Sequence, residues 1–449
     1  MSRRVNVDMG KLTPAWILAV SLLLASFVVC GCNGGETPTP TENALRQELD
    51  RIAAEVEEIR ELGPAADVEY RFVTRDELGE FLLEDMDEEY PPEEALVDQE
   101  IYVLLDLLGE DRELRTIIVG VLEEQIIGFY DDDTKQLNVV SESAELSPLD
   151  RVTFAHEYTH ALQDYHFGLD KLPLEDGNNS DATMAALCLV EGDAVMSQTY
   201  YMLNSLTADD WMLVLEEAEQ AESGQFDSAP RFIQVDLLFP YGREYGEDEI
   251  EGGLQFVAAL YNENEWEAVN QAFADPPRST EQILHPEKYL VERDDPVEIT
   301  LPALSGALGG TWARYDTDVL GELYVRTYLE TYVALGMAKE AAGGWDGDRF
   351  VYLKNDAGDK LLVWRLTWDT AEDADEFFEA YSAFVYDKYD AQWESMSEMG
   401  TSRQWTMADS DVYLGQDGVD ILVVLAPDAA VTDNVLAEFP EFRVSQPCP

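Results

Sequence analysis

The chain has 449 residues, of which 93 are acidic and only 28 are lysine or arginine, so its formal net charge at pH 7 is -65. A charge this negative argues strongly against nucleic acid or an anionic membrane surface as a binding partner. At 46% hydrophobic residues the chain can still bury a large core, which excludes general disorder, and the acidity indicates either a halophilic host or simply an acidic surface.

The first 32 residues have the features of an export signal. Basic residues precede an apolar stretch over 14–30, and a polar linker follows Cys32. A basic start, an apolar centre and a small residue before the cleavage point are typical of secretory signals. The run Val-Cys-Gly-Cys at 29–32 resembles a prokaryotic lipobox in which Cys32 would be lipidated, and an uncleaved N-terminal anchor is the alternative. In both cases we expect the rest of the chain to lie outside the cytoplasm, anchored to the membrane.

Next come a linker and an amphipathic helix, which we assign together to residues 33–64. Leucine, isoleucine and valine recur at helical spacing up to Leu62, and Gly63-Pro64 ends the helix. From residue 65 we expect a larger domain, which begins with a strand over 68–74 and two helices over 92–108 and 111–123. Two apolar runs around an Asp-Asp-Asp-Thr-Lys turn then predict a β-hairpin over 125–140.

The next helix carries the sequence His156-Glu157-Tyr-Thr-His160. Residues four apart lie on the same face of a helix, so His156 and His160 can direct two imidazoles at one metal ion, with Glu157 beside them. This is the H-E-x-x-H arrangement of zinc peptidases. Zn²⁺ held by three protein ligands keeps a fourth position for water and lowers its pKa to about 7. Glu157 would accept the proton of that water and deliver it to the leaving amine.

A third ligand is expected in the apolar run over 181–196, which predicts a largely buried helix. Its acidic residues Glu191 and Asp193 need a partner or a metal ion. They are two positions apart and therefore face different ways, so only one of them is expected to bind the ion. We assign Glu191 as the ligand and Asp193 as a residue that orients a histidine, and the opposite assignment stays open.

The remaining chain is expected to be mostly helical to about residue 275, with a break at Phe-Pro-Tyr-Gly 239–242. A helix over 318–342 and then a second domain from residue 343 are expected to follow. Between them, Ser-Thr-Glu-Gln-Ile-Leu at 279–284 predicts a short helix that stops before Pro286. Over 343–449 the sequence predicts a small α+β unit, with strands at 349–354 and 360–368, a helix at 370–387 and two more strands within 412–425. A split βαβ sandwich is one form that it can take.

Three segments together resemble a known family: His-Glu-Tyr-Thr-His-Ala-Leu-Gln-Asp at 156–164, Leu-Val-Glu-Gly-Asp-Ala at 189–194 and Ser-Thr-Glu-Gln-Ile-Leu-His-Pro-Glu-Lys-Tyr at 279–289. The chain resembles the gluzincin-type zinc metallopeptidases, and most closely a group of poorly characterised, membrane-anchored prokaryotic metallopeptidases. The resemblance covers roughly residues 65–340. It departs from the best-known gluzincin pattern at Val195, where an aspartate usually follows the glutamate ligand by four positions.

The resemblance implies further roles. A strand before the motif helix lines the cleft in gluzincin-like enzymes, so the hairpin over 125–140 is expected to pair with the substrate backbone, and a purely structural hairpin is the alternative. A later histidine or tyrosine hydrogen-bonds the oxyanion in related enzymes. We assign this role to His285, with Tyr289 as the second candidate and a structural His285 as the alternative.

Together these features predict an α+β protein with a mainly helical, zincin-like metallopeptidase domain and a small sheet over 65–342, followed by the small α+β domain over 343–449. The expected function is a membrane-anchored, extracytoplasmic zinc metallopeptidase that hydrolyses a peptide or protein substrate. Two alternatives stay open. One is an inactive zinc-binding scaffold at the cell surface, and the other is an interaction lipoprotein in which the motif is accidental.

Overall fold

A computed structural model describes residues 40–66, 68–73, 86, 90–125, 128–131, 135–140, 146–174, 177–222, 229–245, 249–390 and 392–443. The predicted leader, including Cys32, lies outside these residues. In the part that the structure covers, no helix is both long and apolar enough to cross a membrane. The fold is α+β, as predicted, with a mainly helical region followed by a large sheet.

The helical region contains the elements that were predicted around the motif. Its helices are α1 (Pro40–Arg60), α2 (Pro92–Leu104), α3 (Leu114–Gln125), α4 (Pro148–Phe167), α5 (Ser180–Ser205), α6 (Ala208–Glu222), α7 (Arg231–Leu238), α8 (Gly253–Ala274), α9 (Thr280–Leu284) and α10 (Glu287–Leu290). Helix α1 packs its apolar side on α4, and Leu49, Ile52 and Val56 are fully buried there. Burying this apolar stripe fixes the N-terminal helix against the motif helix.

Two small sheets belong to this region. The first contains β1 (Glu69–Val73), β2 (Gly128–Asp131) and β3 (Gln136–Val140) in the order β1-β3-β2. Strands β2 and β3 pair in antiparallel fashion, which confirms the predicted hairpin, and β1 lies parallel to β3. Strand β2 is therefore at an edge of this sheet. The second sheet pairs β4 (Arg243–Tyr245) with β5 (Glu249–Glu251).

The large sheet has seven antiparallel strands in the order β6-β7-β8-β12-β11-β10-β9. They are β6 (Trp312–Asp318), β7 (Trp345–Asn355), β8 (Lys360–Trp368), β9 (Ser395–Met399), β10 (Ser402–Thr406), β11 (Asp411–Asp417) and β12 (Asp420–Ala426). The helices of this part are α11 (Leu304–Ala307), α12 (Gly321–Leu329), α13 (Leu335–Ala342), α14 (Ala371–Tyr389) and α15 (Ala429–Leu436). Helices α12, α13 and α14 cover one face, and α11 and α15 cover the other.

This sheet bears on two expectations. Its strands β8 and β11, which are connected through α14 and the β9–β10 pair, run parallel on either side of β12, which is antiparallel to both, so the sheet contains a split βαβ arrangement as one predicted form had it. It also begins at Trp312, before the boundary expected at residue 343, because β6 pairs with β7 across the helices α12 and α13. The segment expected as one helix up to Ala342 is divided into these two helices.

Close contact between α5 and α8 places the motif region against the rest of the helical core. A Cβ atom added at Gly192 would lie 2.2 Å from the carbonyl oxygen of Gly253, so only glycine permits this approach. Glycine within a helix costs about 1 kcal/mol relative to alanine. Gly192, which allows this tight packing, directly follows Glu191 in the sequence.

Candidate metal centre

Helix α4 carries the motif and is buried nearly all round. Ser147 caps its N-terminus by accepting a hydrogen bond from the Asp150 backbone N–H, and the Asp150 side chain returns the bond to the Ser147 backbone. Every residue from Phe154 to Gln163 is buried. A helix without a polar face must lie inside the domain. His156, Glu157 and His160 are therefore fixed by packing on all sides.

The structure brings His156, His160 and Glu191 together, as the sequence predicted. One ligating atom from each of the three lies within 4.8 Å of the others, and all three residues are buried. The Nε2 atoms of the two histidines are 3.1 Å apart. Glu191 Oε2 lies 3.2 Å from His156 Nε2 and 3.7 Å from His160 Nε2. We call these three side chains the metal centre.

The electrostatics of these groups suit a cation. Burial lowers the pKa of His156 to about 4 and also lowers the pKa of His160, so both imidazoles are neutral at pH 7, the form that binds metals. Burial raises the pKa of the Glu191 carboxyl to about 7, although His160 and the Tyr241 hydroxyl oppose this. The buried atom Glu191 Oε1 has no hydrogen-bond partner among the described residues. Two neutral imidazoles and one carboxylate with an unsatisfied oxygen fit Zn²⁺, which takes nitrogen and oxygen ligands of this kind.

Glu157 is held beside the metal centre by the hairpin. Its Oε2 accepts a hydrogen bond from the backbone N–H of Tyr130, on the edge strand β2, at 3.1 Å. Burial and the nearby Glu191 carboxylate raise the pKa of Glu157 well above its usual range, against the effect of that N–H. The Tyr130 hydroxyl donates to Asp164 Oδ2 at 2.8 Å, and Lys135 pairs with the same oxygen at 2.7 Å. Asp164 thus ties both ends of the hairpin turn to α4.

Behind His160 runs a buried chain of polar contacts. His160 Nδ1 lies 2.9 Å from Gln163 Oε1, and Gln163 Nε2 donates to Asp193 Oδ2 at 2.9 Å. Asp193 Oδ1 accepts from Arg60 Nε at 2.7 Å, and both of these side chains are fully buried. Asp193 is therefore linked to His160 indirectly, through Gln163, and its role in orienting a histidine stays a prediction. Gln163 and Arg60 were not singled out from the sequence, although Gln163 follows His160 by three positions on one helix face.

Tyr241 is the functional candidate that sequence reasoning missed. Its ring stacks on His156 with the centroids 5.9 Å apart, and its hydroxyl lies near enough to Glu191 to lower the pKa of that carboxyl. The hydroxyl is buried, interacts with the Glu191 carboxyl and has no hydrogen bond of ordinary length within the described part of the chain. Tyr241 lies in the turn between α7 and β4, where Phe-Pro-Tyr-Gly at 239–242 indicated only a break between helices.

The structure does not group His285 and Tyr289 with the metal centre. His285 Nε2 lies 3.0 Å from Glu322 Oε1, and both residues line a separate cavity that shares no residue with the metal centre. The Tyr289 hydroxyl donates to the backbone carbonyl of Asp275 at 2.8 Å, and Arg293 lies over its ring. Both side chains have hydrogen-bond partners of their own, and the oxyanion role expected for them stays a prediction.

A second group of three ligating side chains lies near α9 and α10. It consists of Glu281, Asp294 and Asp369. Lys288 Nζ donates to all three, at 2.6 Å, 3.0 Å and 2.6 Å respectively. We call this group, with Lys288, the lysine cluster. A cation of the chain itself already satisfies these carboxylates.

The comparisons with known proteins concern only the large sheet. Residues 311–436 match the model of a family described as a domain of unknown function (DUF8575). This match begins beside β6 and ends with α15, so it covers the sheet and its covering helices other than α11, but not the metal centre. No curated protein and no solved structure matches the chain.

Proposed function

We propose that this protein is a zinc metallopeptidase that hydrolyses peptide bonds. The observation that carries the proposal is the convergence of His156, His160 and Glu191 within 4.8 Å of one another, with Glu157 held alongside by a backbone N–H. The helical region would then be a zincin-like domain. Zn²⁺ bound by these three ligands supplies a polarising charge to the substrate carbonyl and acidifies a water molecule.

Residues around the metal centre carry the remaining catalytic roles. Glu157 accepts the proton of the attacking water and returns it to the leaving amine. The Tyr241 hydroxyl, which lies beside Glu191, donates to the oxyanion of the transition state. The edge of β2 lies beside Glu157 and offers its main chain to an extended substrate.

The proposed location is outside the cytoplasm, with a membrane anchor at the N-terminus. It is supported by the basic and apolar segments before Cys32. The polar linker and α1 would then join the anchor to the catalytic region, because α1 packs directly on α4. A peptidase placed in this way would meet exported or extracellular proteins.

The decisive experiment measures zinc content and cleavage in the purified full chain. Wild type is expected to hold about one zinc ion and to cleave an unfolded protein such as casein, tested in low and high salt because of the large negative charge. His160→Ala loses the zinc. Glu157→Gln keeps the zinc and loses about 10²–10⁴-fold in rate. Glu58→Gln, which changes an exposed glutamate of α1, is the matched control and leaves both quantities unchanged.

The outcomes separate the competing functions. Zinc without cleavage at either salt concentration would favour the inactive scaffold, and a folded wild-type protein without zinc would contradict the proposal. If Asp193→Asn loses the metal while Glu191→Gln retains it, Asp193 and not Glu191 is the third ligand.

A further inference from the structure

A second cavity, of about 330 Å³, lies between the helical region and the large-sheet domain. On one side it is lined by residues of β5, α8 and the end of α9, and on the other by residues of α12 and α13, which belong to the matched family domain. Small-molecule sites have volumes of about 300–1,000 Å³ and occur preferentially at domain interfaces. The size and the position of this cavity both fit a ligand site.

The positive charges of the cavity are already paired with acids of the chain. Arg326 Nη2 donates to Glu251 Oε2 at 2.6 Å, and Lys339 Nζ donates to Glu251 Oε1 at 2.7 Å. Arg326 Nε also donates to Glu330. Both oxygens of Glu251 are therefore satisfied, and these charged residues leave little charge uncompensated.

Two acceptors of the cavity, one on each side, lack donors. Glu322 is 2% exposed, and its Oε1 lies 3.0 Å from His285 Nε2. Its other oxygen, Oε2, is buried without a hydrogen-bond partner among the residues that the structure describes, and the same holds for Gln255 Oε1. A buried acceptor without a donor is unfavourable, and more so when it is charged. Two such acceptors in one cavity fit a ligand that brings N–H donors.

We propose that this cavity binds a primary ammonium group, with Glu322 as its counterion and Gln255 as a second acceptor. An ammonium carries three N–H donors and a positive charge, which suit a carboxylate oxygen and an amide oxygen as acceptors. The bond to Glu322 is charge-assisted and therefore stronger than a neutral hydrogen bond. His285 holds the other Glu322 oxygen and thereby positions the carboxylate. The inference is independent of the metal centre.

Isothermal titration of the full chain with n-butylammonium chloride tests this site. The titration is carried out in excess sodium chloride at constant ionic strength, because the acidic surface attracts any cation. We expect saturable binding by wild type, at least about tenfold weaker binding by Glu322→Gln and about two- to tenfold weaker binding by Gln255→Leu. Glu322→Gln keeps the side-chain shape and removes a buried charge, so it is expected to fold.

Controls separate this site from general cation binding. Glu100→Gln changes a carboxylate that is already paired with Lys354 and Tyr352, and it should leave the affinity unchanged. Tetramethylammonium has the charge without N–H donors, so it should not compete. Wild type treated with a chelator should bind as before, because the cavity shares no residue with the metal centre.

A last comparison identifies the source of the ammonium group. Competition by trialanine but not by N-acetyl-trialanine would show that the cavity accepts the amino end of a peptide, and competition by neither would restrict it to free small amines. Absence of saturable n-butylammonium binding, or equal affinities in wild type and Glu322→Gln, would overturn the proposal.

Discussion

The metal centre and the lysine cluster are both groups of three ligating side chains, but only the lysine cluster contains its own cation. Lys288 Nζ reaches Glu281, Asp294 and Asp369, and none of the three has a buried oxygen without a partner. In the metal centre, no described lysine or arginine forms an ion pair with Glu191, and Glu191 Oε1 lacks a partner. A group of acids alone therefore does not indicate a metal site, whereas buried ligating atoms that lack partners do indicate one.

The two groups also differ in burial and in ligand type. The Asp294 and Asp369 side chains are 38% and 31% exposed, whereas Glu191 is fully buried. Burial alone would lower the pKa of Lys288, but its hydrogen bonds to Asp369 and Glu281 raise it, so the ammonium stays charged. The metal centre instead offers neutral imidazoles, which bind a metal ion and not an ammonium.

The largest expected effect comes from the Tyr241 hydroxyl, which lies beside the metal centre. Tyr241→Phe should lower the cleavage rate by about 10²–10³-fold, because the transition state loses one oxyanion donor, while zinc content stays unchanged. Steady-state kinetics with a fluorogenic peptide measure this. Tyr289→Phe is the matched control, since its hydroxyl bonds the Asp275 carbonyl instead, and it should retain the wild-type rate. If His285→Gln lowers the rate and Tyr241→Phe does not, the assignment made from the sequence is correct.

Removal of the metal should separate the two groups in a melting experiment. A cation that binds only the folded state stabilises it by about 2.7 kcal/mol at a concentration of 100 times the dissociation constant. Chelation should therefore lower the melting temperature of wild type. His160→Ala, which lacks a ligand, should show no response, and Lys288→Met should respond as wild type does. An unchanged melting temperature of chelated wild type would mean that the metal centre contributes nothing to stability.

In the lysine cluster, the chain's own cation can be removed instead. Lys288→Met leaves three carboxylates without their donor and should lower the free energy of unfolding by about 2 kcal/mol, between the values for exposed and buried ion pairs because two of the acids are partly exposed. Urea denaturation measures this. Lys171→Met, at an exposed lysine, should change it by less than about 0.5 kcal/mol.

Lys288→Met also tests whether Lys288 occupies the place of a metal cation. With Lys288 gone, added Ca²⁺ should restore part of the lost stability, because the three carboxylates become oxygen ligands for a hard cation. Wild type should not respond to Ca²⁺ in this way. Equal responses of the two proteins would show that Lys288 does not occupy the place of a cation.

The residues in and beside the metal centre differ in how far the sequence could predict them. His156, Glu157 and His160 lie within five consecutive residues, so helical geometry alone places them together. Glu191 was predicted because it is an acid inside an apolar run. Tyr241 lies fifty residues further on, in a turn, and only the packing of β4 and β5 against α8 brings it to His156. No local pattern encodes such a contact.

The large sheet shows a similar limit. Its central strands β7, β8, β11 and β12 were predicted because apolar residues dominate them. The edge strands β6 and β9 were missed, and so was β10, which lies next to β9. Edge strands carry polar residues that disfavour association with other chains, and β9 reads Ser-Met-Ser-Glu-Met. The sequence therefore predicted the centre of this sheet and neither of its edges.

The smallest expected effect tests the buried polar contacts that join His160 to Asp193 and Arg60. Gln163 joins His160 to the buried pair of Asp193 and Arg60, and residues that orient a ligating histidine typically contribute 10–100-fold to metal affinity. Gln163→Leu should weaken zinc binding by about tenfold, the lower end of that range, because both histidines and Glu191 remain. Competition with a fluorescent zinc chelator measures the affinity of the folded protein. Gln271→Leu, at an exposed glutamine of α8, is the control and should bind zinc as wild type does. If Gln163→Leu folds and keeps the wild-type affinity, the packing around α4 alone orients His160, and the polar chain to Arg60 serves stability instead.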